Sequence, residues 1–164
     1  MRYLQRNVHR SVFDHLVTQV TAMGWVDDPV NFGAEPVTFH EVDLREGVSR
    51  IEPTSVAVWV PSESSDRIAE LGGVSWTADL DFVIDIYASQ ASFSIALASD
   101  IKDLFRERSI PLLDHGSGST PVQAGTVELE GAWIDRPTSS ALEFNGVWRQ
   151  VRGFTRVWFE ESGA

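Results

Sequence analysis

Hydrophobic residues recur at every fourth position near the start of the chain. The positions with this spacing are Leu4, Val8, Val12, Leu16 and Val20. A four-residue spacing places side chains on one face of an α-helix, and a following glycine commonly ends it. Since Gly24 follows the stripe, the pattern predicts an amphipathic helix from Arg2 to Met23.

The longest alternating pattern runs from Trp76 to Ala88. Apolar side chains fill every second position there, and the intervening positions include Asp79, Asp81 and Asp85. A period of two places successive side chains on opposite faces of a β-strand. The pattern therefore predicts a long strand with one face in the core and one acidic face.

Shorter patterns predict the remaining elements. Strands are predicted for residues 37–44, 55–60, 122–137 and 146–161, which are rich in valine and aromatic residues. A second helix is predicted from Ser92 to a point before Pro111, because apolar residues recur there at helical spacing. Gly153, inside the last strand, indicates a bulge or a close backbone approach. Residues 61–75 and 114–120 are polar and rich in glycine or serine, and we predict flexible loops there.

This order of elements predicts a single domain over residues 1–164 with an α+β fold. The economical packing is a mostly antiparallel twisted sheet with two helices packed on one face. The other face would then carry the three aspartates of the long strand.

Charge and composition narrow the possible functions. The formal net charge is −11, and residues 51–100 hold eight acidic residues but one basic residue. Such a chain repels nucleic acid, since phosphate binding depends on clustered Lys and Arg. The chain has no cysteine, so thiolate metal sites and a cysteine nucleophile are excluded. No apolar run reaches membrane-spanning length, so we expect a protein made in the cytoplasm without a membrane partner.

The aspartates allow two interpretations. Asp79 and Asp81 project from the same face about 7 Å apart and could share a hard cation in a small metal-dependent enzyme. Asp85 lies too far along the strand to join them in one coordination sphere. The favoured alternative is an acidic sheet face formed by Asp79, Asp81 and Asp85, with no catalytic residue, no metal and no cofactor.

The last predicted strand is the favoured surface for contact with another subunit or partner. Tryptophan and arginine are enriched at protein interfaces. The candidate interface residues are Trp148, Arg149, Arg152, Arg156 and Trp158.

The order of these segments resembles a known family. The first helix ("VFDHLVTQV") precedes a "VAVWVP" strand and a polar loop, and a "DLDFVIDIYA" strand then leads into the helix "ALASDIKDLF". "GAWIDRP" and "WRQVRGFTRVWF" complete the chain. Together these segments resemble the tail terminator proteins of long-tailed, non-contractile bacteriophages.

The resemblance implies a structural virion protein. Tail terminators form a six-membered ring on the head-proximal end of the tail tube, stop tube polymerisation and present a surface to the head completion protein. The implied partners are further copies of the chain, the tail tube protein and a head completion or neck protein. DNA would pass through the ring without specific binding, and Asp79, Asp81 and Asp85 could line or lie near its channel. A neck or head–tail connector protein of the same virion is the nearest alternative.

Overall fold

The computed structural model describes residues 4–25, 37–47, 51–52, 54–61, 67–71, 75–116, 118–135 and 146–160. The helices are α1 (Leu4–Ala22), α2 (Leu44–Gly47) and α3 (Ala91–Leu104). The strands are β1 (Thr38–His40), β2 (Ser55–Trp59), β3 (Arg67–Leu71), β4 (Ser75–Ala88), β5 (Arg108–Asp114), β6 (Val122–Asp135) and β7 (Val147–Glu160).

The seven strands form one sheet in the order β1-β2-β4-β7-β6-β5, and β3 also pairs with β4. Strand β1 is parallel to β2, and the other pairings between the described strands are antiparallel. Strand β4 is long enough to pair with β3 along its first half and with β2 along its second half. Its other edge pairs with β7 over its whole length, from Ser75 opposite Glu160 to Ala88 opposite Val147.

The two long helices pack on one face of the sheet and form the main core with it. The apolar stripe of α1 is buried there, as are Phe93, Leu97 and Ile101 of α3. The apolar alternates of β4 face the same core, and Phe82 lies at 0% exposure within it. The predicted α+β fold, with two helices on one face of a mostly antiparallel sheet, is confirmed.

Two polar side chains of α1 hold this helix against strand β5. Asn7 Oδ1 accepts a hydrogen bond from the backbone N–H of His115, and Ser11 Oγ accepts one from Leu113. Asn7 Nδ2 also donates to Asp114 Oδ1 at 3.1 Å. These contacts satisfy the N–H of Leu113, in an outer strand of the described sheet, and that of His115, which follows the strand.

Gly153 and Gly131 occupy backbone positions that disfavour a larger residue. A Cβ at Gly153 would lie 2.5 Å from the Phe105 ring, which confirms the predicted close approach. Register shifts lie elsewhere: one between Leu129 and Gly131 of β6 opposite β7, and one between Leu112 and Leu113 of β5 opposite β6. Gly131 has φ 146°, a conformation that L side chains rarely adopt.

The sequence prediction was wrong at three places. Residues 67–71, predicted as part of a loop, form β3. The second helix, predicted to run to a point before Pro111, ends at Leu104, and residues 108–114, which include the start of the loop predicted for 114–120, form β5. The strand predicted for 37–44 is limited to β1, and the chain then turns into the short helix α2.

Candidate interaction surface

The sheet face opposite α1 and α3, here called the outer face, carries most of the residues singled out from the sequence. Strand pairing brings side chains from three strands together on it. The outer-face positions include Asp79, Asp81, Asp85 and Tyr87 of β4, Trp148, Gln150, Arg152, Phe154, Arg156 and Trp158 of β7, and Glu128, Trp133 and Asp135 of β6. Short helix α2 packs at the end of this face that holds Asp85.

At the other end of the outer face, Asp79 and Asp81 are accessible to solvent, and Asp79 pairs with Arg156. Arg156 Nε donates to Asp79 Oδ1 at 2.9 Å and lies 3.6 Å from Glu130 Oε1. The hydrogen bond to Asp79, followed by the charges of Asp79 and Glu130, raises the pKa of Arg156. Asp81 is exposed and lies opposite Phe154 in the register. Asp79 therefore has a cationic partner within the chain.

Asp85 has a different environment from Asp79 and Asp81. It is 0% exposed, and its carboxylate accepts two indole hydrogen bonds, from Trp59 Nε1 to Oδ2 at 2.7 Å and from Trp148 Nε1 to Oδ1 at 2.8 Å. Burial raises the pKa of Asp85, and the hydrogen bonds from Trp59, Trp148 and Gln150 oppose that rise. An exposed acidic role does not fit this burial, so the predicted acidic face is reduced to Asp79 and Asp81.

A second, smaller apolar cluster surrounds Asp85. Leu44, Ile51, Ala57 and Tyr87 are buried together, and the indoles of Trp59 and Trp148 pack against them. The Tyr87 and Trp148 rings are stacked, with their centroids 5.9 Å apart. Burial, followed by the charge of Asp85, raises the pKa of the Tyr87 phenol. This part of the outer face is a satellite core beneath α2.

Aromatic side chains reach solvent elsewhere on the outer face. Trp133 is 52% exposed and Trp158 is 38% exposed. The Trp133 ring contacts the Phe154 ring, with 4.7 Å between centroids. Exposed tryptophans beside charged residues are typical of protein contact surfaces.

Of the five predicted interface residues, four share the outer face. Trp148, Arg152, Arg156 and Trp158 are on it, although Trp148 is engaged with Asp85. Arg149 is on the helix face, where its Nε donates to Ser94 Oγ of α3 at 2.8 Å. The period of two along β7 is the signal that separates odd-numbered Arg149 from the even-numbered positions. The structure thus does not place Arg149 with the other four.

A groove that sequence reasoning missed lies beside α1. Its volume is about 430 Å³, and its lining residues are Arg6, His9, Arg10, Asp14, Glu41, His115 and Pro121. Arg10 pairs with both Asp14 and Glu41, and His9 Nε2 donates to the Val58 carbonyl at 2.8 Å. Positive and negative groups are mixed in this groove, so it favours neither an anion nor a cation.

The described residues offer neither a clustered metal site nor a membrane-spanning helix. No group of three or more histidine or acidic side chains lies close enough to hold a metal ion within this part of the chain. None of the helices described is both long and apolar enough to cross a membrane.

Comparison with known proteins gives structural matches but no sequence match. No family model matches the sequence, and no curated protein matches it. Among solved structures, a chain from the virion of a native gene transfer agent particle matches with a TM-score of 0.48 and 16% sequence identity. The match covers 98% of this chain and 100% of that chain. At this score and identity, the likeness is one of backbone outline only.

Proposed function

We propose that this chain is a structural protein of a phage-like virion. In this proposal, six copies form a ring on the head-proximal end of the tail tube. The ring stops tube polymerisation and offers its other side to a head completion or neck protein. Its role is assembly and not catalysis.

The observation that carries the proposal is the exposure of aromatic residues on the outer face. Trp133 and Trp158 place large apolar surfaces in solvent on a rigid sheet, beside Arg152 and Arg156. Burying such side chains against another protein removes apolar surface from water without reordering the backbone. The resemblance to tail terminators suggests which proteins would cover this surface: further copies of the chain, the tail tube protein or a head completion protein.

A ring requires two different surfaces on each copy. When the outer face of one copy contacts another surface of the next, the contact is heterologous, and it closes when the rotation between copies divides a full turn. The unequal faces of this fold suit such a contact, because α1 and α3 cover one side of the sheet and the exposed tryptophans lie on the other.

In this proposal, the acidic residues give the channel a negatively charged wall. The chain carries a net charge of −11, and Asp79 and Asp81 remain accessible on the outer face. Like charge disfavours lasting contacts with phosphate, so DNA would pass an acidic wall without being held. Asp79 and Asp81 would line or lie near the channel, whereas the buried Asp85 would not.

Electron microscopy of the purified protein, alone and mixed with assembled tail tubes, tests the proposal. We expect rings, or a cap on one end of each tube with tube growth arrested. Trp133→Ser should abolish ring or cap formation while the monomer stays folded. Val42→Ser, which changes an exposed apolar residue between β1 and α2 and outside both the long helices and β6–β7, is the matched control and should assemble normally.

The same experiment separates the rival functions. Binding to isolated heads or portals without any effect on tubes would assign the chain to the neck as a head–tail connector. Failure to assemble with either component would overturn the virion proposal. The metal-dependent enzyme is disfavoured because Asp79, one of its two required carboxylates, is paired with Arg156 at 2.9 Å.

A further inference from the structure

Helix α2 places Arg45 against the satellite core around Asp85, beside the buried Leu44. The guanidinium of Arg45 lies against the indoles of both Trp59 and Trp148. We propose that Trp59, Trp148, Asp85 and Asp43 form a guanidinium-binding site, and that Arg45 is its built-in ligand. This inference is independent of the proposed virion role.

The two indoles provide matched cation–π contacts. Arg45 Cζ lies 5.3 Å from the Trp59 ring centroid and 5.2 Å from that of Trp148. Both distances fall within the ~6 Å over which a ring face attracts a cation, and tryptophan gives the strongest such contact. Two rings around one cation form an aromatic cage.

The buried carboxylate fixes the cage and supplies charge. Each oxygen of Asp85 accepts a hydrogen bond from one of the two indoles, so a single residue sets the positions of both rings. With Asp85 at 0% exposure, its charge is poorly screened by solvent and attracts the cation nearby. The hydrogen bond to Asp43 is the main cause of the raised pKa of Arg45, and the negative charge of Asp85 contributes to it as well.

Asp43 makes the site selective for a planar guanidinium. Its Oδ1 accepts from Arg45 Nε at 2.9 Å and its Oδ2 accepts from Nη2 at 2.8 Å. A lysine ammonium cannot present two parallel donors to this fork, and it is more strongly hydrated than a guanidinium. The ligand class is therefore guanidinium, with simple ammonium ions bound less well.

Occupation of the site ties α2 to the outer face. Arg45 belongs to a helix of four residues, which is too short to be stable without tertiary contacts. The neighbouring Leu44 is 5% exposed and enters the same cluster. Arg45 thus holds α2 against the sheet.

Chemical rescue of an emptied site tests this inference. Arg45→Ala removes the ligand and leaves the cage, and 33% of the Arg45 side chain is exposed, so a small ligand has access from solvent. We expect Arg45→Ala to lower Tm by about 3–8 °C. Millimolar methylguanidinium should restore part of that loss with a saturable dependence on concentration, because it binds the native state. Sodium chloride at the same ionic strength should not.

Arg10→Ala is the matched control. Arg10 is another accessible arginine with two acidic partners, but it contacts a single ring, that of Phe13 at 5.8 Å. Methylguanidinium should not stabilise this variant. Equal stabilisation of both variants, or no saturable stabilisation of Arg45→Ala, would overturn the proposal.

A second variant keeps the inference testable should Arg45→Ala fail to fold. Arg45→Lys retains a cation over the indoles but loses the two-point contact with Asp43. We expect a lower Tm than that of the wild type and shifted indole N–H resonances of Trp59 and Trp148. Wild-type values for both readouts would contradict a guanidinium-specific site.

Discussion

Asp79 and Asp85 lie on one strand and on one face of the sheet, yet they belong to different environments. Asp79 faces solvent and pairs with Arg156, whereas Asp85 is fully buried beneath α2 and held by two indoles. The strand period sets the face of each residue, but the neighbouring strands determine its burial. Beside Asp85 lie β2 with Trp59 and β7 with Trp148. The first half of the outer face is thus a surface, and the second half is a small core.

The largest expected effect comes from removing the buried carboxylate. Asp85→Ala leaves two indole N–H groups near the satellite core without their acceptor, and each lost acceptor is costly. We expect the free energy of unfolding to fall by about 3 kcal/mol, as measured by urea denaturation. Asp79→Ala is the control and should leave the unfolding midpoint near that of the wild type. Equal losses in the two variants would remove the distinction between the two halves.

A smaller effect is expected from removing one of the two indole donors. Trp148→Phe keeps an aromatic ring against Tyr87 but deletes the hydrogen bond to Asp85. The free energy of unfolding should fall by roughly 1–2 kcal/mol. Trp158→Phe, at an exposed position of the same strand, should change it much less. A larger loss at Trp158 would show that the surface half of the outer face is also a core.

The sequence predicts that the aspartates of β4 share a face, but it does not predict that Asp85 is buried while Asp79 is accessible. Alternation along β4 correctly assigned Asp79, Asp81 and Asp85 to one face, because side-chain direction is a local property of a strand. Burial of Asp85 depends on pairing with β2 and β7, which are distant in sequence. The local signal was its apolar setting: Val83 and Tyr87, the adjacent positions on its own face, are both buried.

The missed elements have similar physical causes. Strand β5 contains Pro111, which argues against a central strand but is tolerated at an outer position of the sheet. Strand β3 lies in a polar segment without apolar alternation, and its pairing partner β4 determines its conformation. Helix α2 has four residues, too few for a helical period to be visible.

The pH dependence of stability tests whether the burial of Asp85 raises its pKa. Burial raises the pKa of Asp85 above its ordinary value of 3.8, so the native state holds this proton more tightly than the unfolded chain does. Its contribution to stability is therefore fully present below pH 3.8 and is lost as the pH rises through the raised pKa. The unfolding free energy of the wild type minus that of Asp85→Asn should decrease over this range. An increase of this difference with pH would contradict a raised pKa of Asp85.

The smallest effect is expected at the solvent-exposed half. Asp79→Asn removes a carboxylate whose partner, Arg156, is an exposed cation, and such pairs are weakened by solvent and salt. The Tm should change too little to resolve, and Mg²⁺ should stabilise neither the wild type nor the variant. Thermal unfolding of both proteins with and without Mg²⁺ measures this directly. A Mg²⁺-dependent rise in the Tm of the wild type that disappears in Asp79→Asn would identify a cation site at Asp79 and Asp81. That result would make the exposed half of the outer face a site of metal chemistry and not a contact surface.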